Sequence, residues 1–277
     1  MRGMLLFTEE TAPHQLAFEA FGVELRICTD TEELLGRTEA YLPPGWRRVS
    51  PRDEQFPLAI MEDPGNGYVV YKGTTCISEG HGLEYSLTML ESQIRGNVAI
   101  AAPNKTFVHA GAVEHDGRAI IFPGVSFSGK TTLAEAFVRA GATYYSDEFA
   151  VLDNDGRVHP YPKPLSIRAG ENDHQTDHSI ESLNGVAGVD PVPLGAVILT
   201  IYDPGAEWAP RELSAGEAAL AILSHTVTAQ SRPSEAIRAI SRAIENAVAL
   251  EGDRGEAAEF VPLILAQLER QPAGPAG

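Results

Sequence analysis

Residues 120–137 read IIFPGVSFSGKTTLAEAF: four apolar residues run up to Gly124, and Gly129, Lys130 and Thr131 follow where a helical pattern begins. The spacing is G-x-x-x-x-G-K-[ST], a loop whose inward-pointing backbone N–H groups cradle phosphate oxygens. By chance the pattern arises in about one chain in a hundred of this length at average composition. The candidate nucleotide-binding residues are Gly124, Val125, Ser126, Phe127, Ser128, Gly129, Lys130, Thr131 and Thr132. Lys130 would reach the terminal phosphates and the Thr131 hydroxyl would ligate Mg2+, with the positive end of the helix dipole adding to the attraction. ATP with Mg2+ fits this chemistry. GTP and pyrophosphate stay open, because the loop grips phosphates and is indifferent to the base.

Asp147 and Glu148 follow 17 and 18 residues after Lys130. A carboxylate near a phosphate loop can hold Mg2+ or take the proton of an attacking hydroxyl. Adjacent residues on a regular strand face opposite ways, so both acids reach one site only at a strand end. His109, in an apolar strand-like run, could move a proton if that strand packs beside the loop. His174 and His178 are four apart, but their segment lacks apolar helical periodicity and reads as a loop.

The elements that must position these residues are readable in outline. FVHAGAVE and RAIIFPG are strand-like runs joined at Asp116-Gly117, a strong short hairpin signal. TTLAEAFVRAG continues as a helix with Leu133, Phe137 and Val138 on one face and Gly141 as its stop. TYYSDEFAVLD reads as one strand, DNDG as a turn, and RVHPYPKPLSIR as an extended segment broken by proline. Residues 169–190 are polar and turn-rich, a mobile loop of the kind that serves as a lid. LGAVILTIYD is a buried strand, and Ser214-x-x-Glu217 is a capping box opening the next helix. A further helix over PSEAIRAISRAIENAVAL carries Ile237, Ile240, Ile244 and Val248 on one face. Residues 1–102 read as a small N-terminal α+β domain without a catalytic motif. Its strands include residues 22–27 and 67–73, and an amphipathic helix over 86–102 leads into a strand. The phosphate-loop domain spans 103–277.

With 21 basic and 38 acidic residues the formal net charge is −17, which argues against nucleic acid as a partner. No run of about 18 apolar residues predicts a membrane span, and the N-terminal apolar stretch is too brief for a signal peptide. Two cysteines, Cys28 and Cys76, are too few for a disulfide framework, as expected of a cytoplasmic protein with reduced thiols.

HAGAV at 109–113, GVSFSGKTTL at 124–133 and YSDEFAVLD at 145–153 together resemble the bacterial HPr serine kinase/phosphorylase family, most closely its HPr-kinase-related branch. The likeness covers about residues 105–170. It implies an α/β phosphate-loop kinase core of the HPr kinase/phosphoenolpyruvate carboxykinase type, possessing phosphoryl transfer to a serine hydroxyl. It further implies that Asp147 deprotonates the acceptor, that Glu148 lies near the metal, and that His109 stands beside the transferred phosphate. Family members are often homo-oligomers, and some of the related branch sit with peptide-modifying enzymes. This chain has Phe127 where the family has glycine, Glu148 where it has Asp, and Ser166 in place of an acid two residues before Arg168. Neither phosphorylase activity nor HPr as acceptor is therefore implied. Lys163 and Arg168 are candidates for neutralising transition-state charge.

The expected activity is Mg2+-dependent phosphoryl transfer from ATP to a hydroxyl of a peptide, protein or small molecule. A nucleotide-binding sensor without transfer, and a plain ATPase, are the alternatives.

Overall fold

The computed structural model describes residues 6–53, 55–125, 128–168 and 175–270, the side chains of 166–168 and 175–177 excepted. The chain forms two compact units, Met1–Pro103 and Asn104–Gly277.

In the first unit β1 (His14–Ala20) and β2 (Val23–Thr29) form a hairpin over Phe21 and Gly22, whose φ values of 51° and 80° suit a two-residue turn. Thr31 caps α1 (Glu32–Thr38) by accepting from the Leu34 N–H at 3.2 Å. Then come β3 (Arg47–Arg48), β4 (Phe56–Asp63), β5 (Gly67–Lys72), β6 (Thr75–His81) and α2 (Leu83–Ala101). Among the described residues the strands form a mixed sheet ordered β3-β1-β2-β4-β5-β6. α2 packs on β4 and β5 and buries Leu87, Leu90, Ile94 and Val98, a spacing of three and four residues that continues to its end. The helix expected over 86–102 thus runs to Ala101.

The second unit opens with β7 (Lys105–His115) and β8 (Arg118–Pro123), turning at Asp116 and Gly117 with φ of 50° and 76°. α3 (Lys130–Arg139) follows the loop, and the chain leaves it at Gly141, φ 96°. Next are β9 (Thr143–Ser146), β10 (Phe149–Asp153), β11 (Arg157–His159), and the paired β12 (Leu165–Arg168) and β13 (Gln175–His178). β14 (Val192–Tyr202), β15 (Arg211–Glu212), α4 (Ala215–Ser224), α5 (Pro233–Ile244), β16 (Val248–Arg254) and α6 (Ala257–Arg270) complete it. Among the described residues the main sheet is ordered β11-β10-β7-β8-β14-β16-β15, with β9 on β7. β11 also pairs with β14, so the path β11-β10-β7-β8-β14 returns on itself.

β8, β14 and β16 run parallel, which brings the loop after β8 and the last residues of β16 to the same end of the sheet. Alternate residues of these strands feed separate cores. Ile121 and Val197 pack with Ile222 of α4 and Ile240 of α5, whereas Ile120, Ala196 and Ile198 pack with Phe137 of α3 and Phe260 of α6. At about 25 cal/mol per Å2 of apolar surface, burial on both faces fixes the register that aims the loop.

Two sequence expectations give way. TYYSDEFAVLD is two strands, not one, broken at Asp147-Glu148. The helix expected over PSEAIRAISRAIENAVAL ends at Ile244; Val248 begins β16, and Ile237 is half exposed while Ala236, Ala239, Ile240, Ala243 and Ile244 form the buried face. Pairing of β16 with β14 outweighs the helical periodicity there. In the expected lid, 169–174 lie outside the described residues, and from 175 the segment contains β13 and a short helical turn, Ile180–Leu183. Ile180 is buried, and a Cβ at Gly185 or Gly188 would strike Val138 or Tyr145. Among the described residues no helix is long and apolar enough to cross a membrane.

Candidate functional site

The loop is held from both sides. β7 pairs with β8 in the register Ala110↔Pro123, and the His109 carbonyl accepts the Gly124 N–H at 3.2 Å. A Cβ at Gly124 would lie 2.4 Å from Ser128 Oγ, so only glycine lets Ser128 fold over it. At the other bracket Gly129 has φ 83°, a left-handed conformation, and immediately precedes α3. A Cβ there would lie 2.7 Å from Arg254 Nη2. Ser126 and Phe127 lie outside the described residues. Val125 is exposed, and Ser128, Gly129 and Lys130 are part-buried.

Lys130 folds over the loop mouth, its Nζ donating to Gly124 O at 3.0 Å and Val125 O at 2.7 Å. Burial pushes its pKa down, and the charges of Glu148 and Asp147 oppose that shift. Thr131 Oγ1 donates to Asp147 Oδ2 at 2.7 Å. Thr132 is exposed on the same first turn.

Asp147 and Glu148 occupy the bend between β9 and β10. The buried Ser146 Oγ accepts the N–H groups of Glu148 and Phe149 at 3.0 and 2.9 Å, which stabilises the bend and lets both acids turn to one site. The buried Tyr144 donates to Asp147 Oδ1 at 2.9 Å and also approaches Lys163 O at 3.1 Å. Burial raises the Asp147 pKa, and the bonds from Thr131 and Tyr144, with the charge of Lys163, counter it. Asp147 in turn helps burial to hold the Tyr144 phenol protonated.

Glu148 faces the other side. Its Oε1 is 4.0 Å from His109 Nδ1, too long for a hydrogen bond but close enough to attract an imidazolium. His109 is half exposed between buried Val108 and Ala110, and its ring lies 4.8 Å from that of Phe149, its register partner. The site thus gathers His109, Lys130, Thr131, Asp147 and Glu148, with Lys163 joined through charge. β12 carries the backbone of Arg168, but its side chain lies outside the described residues.

Three residues were not singled out from sequence: Tyr144, His225 and Arg254. His225, at the end of α4, accepts the His109 N–H through its carbonyl at 2.8 Å, and burial with the Lys130 charge lowers its ring pKa. Only the placement of Tyr144 three residues before Asp147 was visible in the sequence. The other two approach from elements more than ninety residues after the loop.

The donors at the end of the loop are a hydroxyl and carboxylates, the oxygen set of a hard cation such as Mg2+, which is commonly held by one or two carboxylates and substrate phosphates. The Thr131 hydroxyl donates its hydrogen bond to Asp147, leaving its oxygen lone pairs for a cation. Among the described residues no cluster of three or more His, Cys, Asp or Glu forms a dedicated metal cage.

No family model matches the chain, and no curated protein matches it. Among solved structures the chain is similar to the HPr(Ser) kinase/phosphatase from Coxiella burnetii, at 15% identity and a TM-score of 0.32, over 60% of this chain and 94% of that one.

Proposed function

We propose that the chain is an ATP- and Mg2+-dependent kinase that phosphorylates a hydroxyl, with a serine of a peptide or protein as the acceptor favoured by its motif resemblance. The hydrogen bond from Thr131 to Asp147 carries the proposal. It joins the helix that follows the glycine-bracketed loop to the acid pair and orients a hydroxyl oxygen as a cation ligand. Loop N–H groups and Lys130 hold the donor phosphates. Thr131 and Asp147 form the metal side, and bound Mg2+ would neutralise charge on the phosphates.

Glu148, beside His109 on the more open side, takes the acceptor proton. The acids thus exchange the roles expected from the resemblance. Asp147 accepts hydrogen bonds on both oxygens, which makes it the better-ordered cation ligand. A half-exposed His109 gives a macromolecular hydroxyl access to Glu148.

The test is transfer from γ-labelled ATP to proteins of a source lysate by wild type, Asp147→Asn and Glu148→Gln. Glu148→Gln should keep nucleotide affinity and metal requirement but lose about 100-fold or more in transfer, the usual contribution of a general base. Asp147→Asn should raise the Mg2+ concentration needed for half-maximal transfer. Nucleotide binding with no labelled product in wild type would reduce the protein to a sensor, and acceptor-independent phosphate release would make it an ATPase.

A further inference from the structure

Arg254, the last residue of β16, is only 3% exposed. Its Nη1 donates to the Gly255 carbonyl at 3.0 Å, and its Cζ sits 5.3 Å from the centre of the Tyr202 ring. Neither neighbour neutralises it. Its Nε is buried with no hydrogen-bond partner. The nearest acid in sequence, Glu256, instead accepts from the Tyr202 hydroxyl at 2.6 Å. Burial lowers the Arg254 pKa, with Glu256 and Tyr202 opposing. An arginine keeps its charge under such conditions, so the desolvation of the guanidinium is only partly compensated by the protein.

The group is aimed at the loop. Nη2 stands 2.7 Å from where a Cβ of residue 129 would be, so the guanidinium fits only because Gly129 has no side chain. Gly129 is also the left-handed residue that directs the first N–H groups of α3 outward. Helix N-terminus, Lys130 and a buried guanidinium with an open donor therefore converge, in a chain with net charge −17, on one place.

We propose that Arg254 is an anion-binding residue of the phosphate loop, its guanidinium donating to a phosphate group of the bound nucleotide; this rests on the nucleotide-binding part of the function proposed above. Lys130 supplies a point charge from the loop, and Arg254 supplies a planar donor from another strand. Tyr202 and Gly255 O hold the plane in place.

Calorimetric titration of wild type and Arg254→Gln with ATP, and separately with pyrophosphate, tests this. Arg254→Gln should bind both about 10- to 100-fold more weakly, the range of a lost charge-assisted hydrogen bond, while its melting temperature without ligand stays near wild type. Equal affinities in the two proteins overturn the role of Arg254 and leave nucleotide binding standing. Wild type binding neither ligand overturns both. Should Arg254→Gln fail to fold, the Arg254 Nε–H resonance of wild type, assigned by its loss from Arg254→Lys, decides. It should shift as pyrophosphate is added, and a resonance unmoved at saturation overturns the proposal.

Discussion

Replacing Gly129 by alanine probes the join between loop and strand. Two effects act at once. An alanine held at the φ of 83° recorded for Gly129 costs about 1–2 kcal/mol in backbone energy. The added Cβ would also lie 2.7 Å from Arg254 Nη2, below any ordinary contact, so the buried guanidinium must move. For a folding unit of this size about 1 kcal/mol corresponds to 2–4 °C, so the backbone effect alone lowers the melting temperature by about 2–8 °C. Displacement of Arg254 adds to it. A double-mutant cycle separates the two: Gly129→Ala is measured by scanning calorimetry in wild type and in Arg254→Ala, where the clash is gone. The alanine should cost more in wild type, with a coupling of about 0.5–3 kcal/mol. Costs that agree within about 0.5 kcal/mol would refute the close approach, and with it the reason for glycine at this position beyond its φ.

Two further outcomes are expected. Burial raises the Asp147 pKa above its ordinary 3.8. The folded state then binds the proton more tightly than the unfolded one, so stability is lost as pH rises from the unfolded value through the folded one. Asp147→Asn should therefore melt higher than wild type at pH 7 and lose that advantage as pH falls below 3.8; a gain of equal size at both ends contradicts the burial argument. Burial also pushes the Cys28 thiol up to about 11, with no exposed surface, whereas Cys76 is part-exposed. A thiol reagent should modify Cys76 in the native protein and Cys28 only on unfolding, and equal native rates would contradict the placement of Cys28.

The site was legible where its chemistry is local. Gly124, Gly129, Lys130 and Thr131 share one loop, and the Asp116-Gly117 turn set the register that carries His109 to its mouth. The acid pair was found, but not its geometry, because the bend depends on the buried Ser146 hydroxyl holding two backbone N–H groups. The spacing of Val248 from Ile244 is helical, and only the long-range pairing Ala196↔Val248 makes it a strand. Arg254 had no local signal: one arginine in EGDRGEA is an ordinary surface residue until β16 docks beside β14 and leaves it against Gly129.

That docking order bears on synthesis. In the first unit β1 pairs with β2, β4 with β5 and β5 with β6, contacts between near neighbours that can form soon after each strand emerges. β8 has no parallel partner until β14 is made, through Leu194↔Ala119, and β14 must then wait for β16. The phosphate loop leaves the ribosome before β14, yet its strand stays half-paired until β14 is made, and Arg254 is absent until 123 residues after Thr131 have been translated. Nucleotide added to a stalled chain ending before β16 should give little protection from protease, and the exposed edge of β14 should make that chain prone to aggregation.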